Sequence, residues 1–310
     1  MKAIEKIREV AGIFQNSGFE SPDREAELLI SGALDISILD IYTDNPELER
    51  DSIRTFEDML ERRLTREPSQ YITGYEEFMG LKLAVGPGVL IPRPETEIMA
   101  EYAIKKVESF KLEVKSENKI SSIVNPVKGR GPNGTLRRQS SISILDVCTG
   151  CGCLALALAK EFPDSMVFGT DISDTAVAYA KRNAEINGIN NVTFLQGDLF
   201  EPVEKLSTFD LIISNPPYIK TGEIKGLQPE IRDWEPLTAL DGGEDGLDHY
   251  GNIIPAARKF LKDKGMIMLE IGQGQADDIA DIMSIAGYEY INVIKDYAGI
   301  KRIIKAQCKR

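Results

Sequence analysis

The 310-residue chain has no apolar run that approaches the roughly 20 residues of a membrane span. An integral helical membrane protein is therefore excluded. Its first residues, Met1-Lys2-Ala3-Ile4-Glu5-Lys6, mix acids with bases and lead into no long apolar segment, so no signal peptide is expected and a cytoplasmic location is the default. Positive charge is also short: 37 Lys+Arg stand against 49 Asp+Glu, a net charge of −12. That balance argues against the phosphate backbone of a nucleic acid as the main source of affinity and favours a basic protein partner. Cysteine is sparse, and three of the four (Cys148, Cys151, Cys153) fall within six residues, too close for a disulfide framework. A Cys148-x-x-Cys151 metal or redox pair is the alternative, but no second Cys/His pair completes a zinc site, so small size is the favoured reason for these residues and no metal is expected. The single histidine, His249, reads as a polar loop residue.

What is present, 42% hydrophobic and 28% charged residues, suits a globular chain of about two domains. Residues 1–70 look helical: Ile4, Ile7, Val10, Ala11 and Phe14 recur at helical spacing, and Ser21-Pro22-Asp23-Arg24-Glu25 supplies an N-cap, a first-turn proline and first-turn acids. Asn45-Pro46-Glu47 repeats the start signal before Leu48, Ile53, Phe56, Leu60 and Leu64. With 9 Lys+Arg and 16 Asp+Glu this segment is itself acidic, either a docking module or a solvated helical surface. Residues 71–92, with Tyr71-Ile72-Thr73-Gly74 and Phe78 to Val85, suggest a linking β-hairpin. A helix starting at Glu95 or Thr96 runs through Ile98, Met99, Tyr102, Ala103 and Val107. Residues 113–141 then lose periodicity and carry 6 Lys+Arg against 2 Asp+Glu. They read as a flexible insertion, and their lack of aromatic residues favours a solvated loop over a nucleic-acid contact.

From residue 142 strands and helices alternate, as a doubly wound α/β sheet requires. The strands are expected at Ile144–Val147, Met166–Gly169, Val192–Leu195, Phe209–Ser214, Met266–Ile271, Tyr288–Ile294 and Lys301–Lys305, the last two forming an antiparallel hairpin. Ligands in such sheets bind beyond the carboxyl ends of the strands. Four stretches of chemical interest lie there. Cys148-Thr149-Gly150-Cys151-Gly152 follows the first strand, and its small residues let backbone N–H groups approach a ligand. Asp171, after the second strand, suits ribose hydroxyls, and Asp198 with Leu199, after the third, suits an adenine amine. This pattern fits a nucleoside without pyrophosphate; a dinucleotide stays open, although Ala155 only partly matches the third glycine of its fingerprint. After the fourth strand come Asn215-Pro216-Pro217-Tyr218. The prolines hold the backbone extended and remove donors, so the Asn215 side-chain oxygen and Pro216 carbonyl can accept from a planar NH2 group while the Tyr218 ring stacks on its face. An ordinary turn is the alternative. If Asn215 only accepts, Asn215→Asp should retain more activity than Asn215→Ala.

Taken with Ile91-Pro92-Arg93-Pro94-Glu95-Thr96-Glu97 and Glu235 to Leu247, these motifs resemble the HemK/PrmC family of peptide-chain-release-factor glutamine methyltransferases over nearly the whole chain. The resemblance implies a seven-stranded Rossmann-like methyltransferase sheet over residues 93–310, a hairpin linker at 71–92 and a helical docking domain at 1–70. It implies S-adenosylmethionine as cofactor, held by Cys148, Thr149, Gly150, Cys151, Gly152, Asp171, Asp198, Leu199 and Asn215. The substrate would be the Gly-Gly-Gln glutamine of a release factor, gripped by Asn215, Pro216, Pro217 and Tyr218, with Asn215, Pro216 and Tyr218 catalytic. The expected state is a monomer with no nucleic-acid substrate and no membrane contact. The alternative is an amino methyltransferase acting on a nucleic-acid base or a ribosomal-protein glutamine. The chain departs from the family in carrying Cys148 where glycine is usual, Cys151 where serine is usual, and a long 113–141 segment.

Overall fold

The computed structural model describes residues 1–124, 142–206 and 208–309, the stretch 112–124 by its backbone alone. The chain divides into two compact units. One comprises Met1–Glu76, Val85–Pro87 and Gly226–Glu235; the other comprises Glu77–Ala84, Gly88–Lys225 and Pro236–Arg310.

The first unit is helical: α1 Ala3–Asn16, α2 Pro22–Leu34, α3 Ile38–Asp44, α4 Arg50–Leu64 and α5 Ser69–Thr73. Its core packs Ile7, Val10 and Phe14 of α1 with Leu29 and Ile30 of α2 and Phe56 of α4, the apolar stripe that helical spacing requires. Asn45-Pro46-Glu47 does not begin the next helix. Asn45 takes a left-handed φ of 43° and closes α3, the Pro46 carbonyl accepts from the Ala3 amide, and the Leu48 amide donates to the Met1 carbonyl. Backbone pairing with the N-terminal residues thus overrides a capping signal. In the same unit Arg63, only 3% exposed, pairs with Glu25 at 2.7 Å and with Glu230 at 3.1 Å. Tyr71, Ile72 and Thr73 are helical, so the hairpin is shorter than the sequence suggests: β1 is Tyr75–Phe78 and β2 is Leu81–Ala84.

In the second unit α6 spans Pro94–Val124. It starts at proline, the residue whose missing N–H costs least at a first helical position, and continues through the first part of the expected 113–141 insertion, where Glu and Lys have high intrinsic helix propensity without apolar periodicity. The rest of that insertion lies outside the described residues. There follow β3 Ser143–Val147, α7 Cys153–Glu161, β4 Met166–Asp171, α8 Asp174–Ile186, β5 Val192–Gln196, β6 Phe209–Ser214, α9 Pro229–Arg232, α10 Asp248–Phe260, β7 Leu261–Glu270, α11 Ala276–Ile285, β8 Tyr288–Lys295 and β9 Lys301–Cys308. Of these α9 falls in the segment that belongs to the first unit.

The seven strands order as β5-β4-β3-β6-β7-β9-β8. The first five are parallel, and β9 runs antiparallel to both β7 and β8. Strand β3 is buried at every position and β6 nearly so, as expected of parallel strands covered on both faces. The chain leaves β3 toward β4 and β5 on one side, then returns to place β6 on the other. The carboxyl ends of β3 and β6 therefore flank the point where strand order reverses, the usual seat of a ligand in this architecture. No helix among the described residues is long and apolar enough to cross a membrane.

Candidate active site

A cavity of about 1010 Å³ opens at that reversal, within the second unit. Its wall includes Cys148, Thr149, Gly150 and Cys151 after β3, Asp171 at the end of β4, Asp198 and Leu199 after β5, and Asn215 and Pro217 after β6. The structure thus gathers residues separated by some 70 positions in sequence around one space. Gly152, Pro216 and Tyr218 are not on the wall.

The β3 turn is held from below. Asp146, buried at 1% exposure, accepts from Thr149 Oγ1 at 2.6 Å and from the Ala155 amide at 3.2 Å with the same oxygen, Oδ2. Its other oxygen has no hydrogen-bond partner among the described residues. Burial pushes its carboxyl up to about 7 against the opposing pull of those two hydrogen bonds. Cys148 adopts φ 58°, a left-handed conformation that disfavours any side chain. The usual glycine there now has a reason. Burial raises the Cys148 thiol well above its ordinary value, so it is a neutral wall residue rather than a thiolate nucleophile. A Cβ on Gly150 would meet nothing within 4 Å, whereas one on Gly152 would meet the Phe194 ring at 2.9 Å and Ala180 at 3.1 Å. The first glycine opens the turn toward the cavity; the second permits helix-to-sheet packing.

Asp171 sits between this turn and the start of α8: one carboxylate oxygen accepts from the Gly150 amide at 2.8 Å and the other from the Ser173 amide at 2.9 Å. Burial raises its pKa, opposed by those two bonds. Each oxygen keeps a lone pair for a further donor. Asp198 is exposed at the rim, and Leu199, at φ 42°, accepts from Thr170 Oγ1 through its carbonyl at 2.8 Å.

Asn215 is held by residues the sequence reading did not single out as functional. Its Nδ2 donates to Thr96 Oγ1 at 3.2 Å, and Thr96 Oγ1 donates to Glu270 Oε2 at 2.7 Å. Glu270 ends β7 and is 2% exposed; Thr96, on the first turn of α6, is 1% exposed. Burial pushes the Glu270 carboxyl up to about 7 despite the hydrogen bonds from Thr96 and Asn215. Tyr218 lies behind the wall, where burial raises its phenol to about 12 and its carbonyl accepts from Gln275 Nε2 at 2.9 Å. Pro216 is buried. The Tyr218 ring packs in part against the core and lies beside Gly272.

Leu90 and Ile172 line the wall unread by the sequence analysis, and Pro92, Pro236 and Thr238 line it from the two motifs that carried the family resemblance without a site role. Ile172 carried a signal, being an apolar residue directly after a strand-end acid, and it is 62% exposed. His249 is not a loop residue. It stands on the first turn of α10, which begins at Asp248, and lines the cavity.

Comparison with known proteins follows these two parts. The model described as "PrmC N-terminal domain" matches residues 5–74, and that described as "Methyltransferase small domain" matches residues 134–228. A release factor glutamine methyltransferase of Thermodesulfovibrio yellowstonii is 44% identical over 99% of this chain and 98% of its own length. One from Geobacter sulfurreducens is 39% identical over 94% and 92%. Among solved structures, the hMettl16 catalytic domain, determined in complex with a 3'UTR hairpin, superposes with TM-score 0.54 over 79% of this chain and 81% of its own, at 16% identity, a likeness of fold. With identity of this extent across both units, the chain belongs to the family of release factor glutamine methyltransferases.

Proposed function

We propose that the protein transfers a methyl group from S-adenosylmethionine to the side-chain amide nitrogen of a glutamine in a peptide-chain release factor. The observation that carries this reading is that the Asn215 amide shares one cavity with the glycine turn, Asp171 and Asp198. The residues fit the cofactor. Gly150 leaves open space where a Cβ would stand, and Asp171 and Asp198, both on the wall of the cavity, supply acceptors for ribose hydroxyls and an adenine amine. When bound, the cofactor supplies an electrophilic methyl group on a sulfonium.

An amide nitrogen attacks poorly because its lone pair is shared with the carbonyl. Asn215 accepts from one of its N–H bonds, localising the lone pair and aiming it, and the stiff Pro216-Pro217 backbone keeps that acceptor in place. Orientation of this kind is worth on the order of 7–11 kcal/mol over a bimolecular encounter in well-aligned systems. Pro216 and Tyr218 remain part of the proposed grip on the substrate. No strong base is required, since the methylated nitrogen is acidic while cationic and loses its proton to water. The helical segment 1–70 docks the release factor, whose basic surface complements its acids. The chain acts as a monomer in the cytoplasm, with no nucleic-acid substrate.

The test is to incubate the protein with methyl-labelled S-adenosylmethionine and separated release factor, total RNA and DNA. Label on the release-factor glutamine is the expected result. Label on nucleic acid with none on the factor overturns the reading.

A further inference from the structure

Methyl transfer as proposed needs the oxygen of the Asn215 amide, not its nitrogen, on the acceptor side of the cavity. Nothing in Asn215-Pro216-Pro217-Tyr218 decides this, because an amide turned by 180° keeps its shape while exchanging acceptor for donors. The decision lies behind it. A threonine hydroxyl has one hydrogen, and Thr96 donates its own to Glu270 at 2.7 Å. Only lone pairs are left for Asn215, so the group 3.2 Å away must be the donor, Nδ2. Glu270 accepts from Asn215 as well. Both partners are buried, so bulk water does not compete for these bonds.

We propose that Glu270 and Thr96 are positioning residues that set the polarity of the Asn215 amide, the ionised Glu270 carboxylate holding Thr96 as an acceptor and so turning the Asn215 oxygen to the substrate. The inference rests on the reading of Asn215 as substrate acceptor. It also has a consequence in pH. A protonated Glu270 donates to Thr96, whose hydrogen then points at Asn215 and favours the reversed amide. The charged and titratable groups that act on Glu270 or that it acts on are Glu95 of α6, which favours protonation, Arg302 of β9, which opposes it, Tyr218, and Tyr250 of α10. The Tyr250 hydroxyl donates to the Glu270 backbone carbonyl at 2.7 Å. With Glu270 titrating near 7, turnover should rise with pH through that region.

Single-turnover transfer to release factor, with S-adenosylmethionine affinity measured separately by calorimetry, tests the relay. Thr96→Val keeps shape and removes the hydroxyl; kcat should fall by about 10²-fold, the effect of small misplacement on an aligned reaction, with cofactor affinity unchanged within about threefold. Thr96→Ser, which restores the hydroxyl, should recover most of kcat. Glu270→Gln should lose the acid limb near pH 7, which separates it from the limb that Asp146 could impose. Wild-type kcat in Thr96→Val, failure of serine to rescue, or an acid limb that persists in Glu270→Gln overturns the relay. Asn215→Ala runs beside them: impaired Asn215→Ala with unimpaired Thr96→Val rejects the relay alone, and unimpaired Asn215→Ala rejects the acceptor reading and the relay together.

Discussion

Asn215 is the residue on which structure and chemistry make the sharpest demand. Truncation to alanine removes a preorganised acceptor, a loss that costs about 10²–10³ in kcat where single stabilising contacts have been removed. It also strips Glu270 and Thr96 of a donor in a buried place, a penalty of roughly 1–3 kcal/mol in stability. The aspartate variant is more informative. From sequence alone aspartate keeps the acceptor and should exceed alanine. The structure adds that the lost NH2 is the group that Thr96 and Glu270 accept from, so an ionised aspartate meets a lone pair and a second buried carboxylate. Two carboxylates in one site do not both ionise readily, and one proton is held between them. If the introduced carboxyl takes that proton it donates inward and presents its carbonyl outward, as asparagine does. Asn215→Asp should therefore gain activity as pH falls and the shared proton is taken up, opposite to the wild type, and lie between alanine and asparagine only on the acid side. Single-turnover transfer at saturating cofactor across a pH range of about 5.5 to 8.5, bracketing the pair's titration, with calorimetry for cofactor binding, reads both. Should Asn215→Ala lose cofactor binding yet transfer normally at saturation, Asn215 belongs to the cofactor's site and the acceptor role is refuted.

Other consequences follow from the same geometry. Cys148 at φ 58° bears a side chain where L residues lose roughly 1–2 kcal/mol; Cys148→Gly should leave Tm unchanged or raised and cofactor affinity within a few-fold, while the β-branched Cys148→Val should lower Tm in calorimetry. Asp146, raised to about 7 by burial, binds its proton more tightly folded than unfolded, so between about pH 4 and 7 the native state holds more protons and stability falls as pH rises. Thermal melts of Asp146→Asn should show a shallower fall over that window, with the Glu270 share remaining; an unchanged slope contradicts the assignment. Arg63→Met leaves Glu25 without its cation, whereas Glu230 keeps Arg66 at 3.2 Å; with both carboxylates at 18% exposure the cost should sit near the lower end of the 3–5 kcal/mol for breaking a buried pair, about 3, read as faster amide exchange in α4.

Much of the fold was legible because parallel strands announce themselves. Ile144–Val147 and Phe209–Ser214 are mainly apolar runs, each interrupted by one acid, Asp146 or Asp210, and closed by small or turn-forming residues, and all seven expected strands form. Local signals failed where a distant partner won. Asn45-Pro46-Glu47 had the composition of a helix start, yet pairing of this stretch with Met1 to Ala3 claimed it. Tyr71-Ile72-Thr73 had strand propensity, yet Gly74 at φ 82° caps them as a helical turn. Residues 113–124 lacked an apolar period, yet α6 runs on to Val124, because intrinsic propensity of Glu and Lys does not depend on such a period.

For the site, the distinction is between residues that line the cavity and residues that hold them there. The first kind sits at strand ends, where a small, acidic or amide residue interrupts an apolar run, and Gly150, Asp171, Asp198 and Asn215 could be read one by one. The second kind is chosen by the fold and leaves no local mark. Thr96 is 119 residues from Asn215, and in its own helix a first-turn threonine signals nothing beyond a cap. Glu270 ends β7 much as Asp171 ends β4, but a carboxylate there gains meaning only when Thr96 commits its single hydrogen to it. The Asn-Pro-Pro-Tyr stretch supplies stiffness and an amide; which end of that amide meets the substrate is written in α6 and β7, and only folding brings the three together.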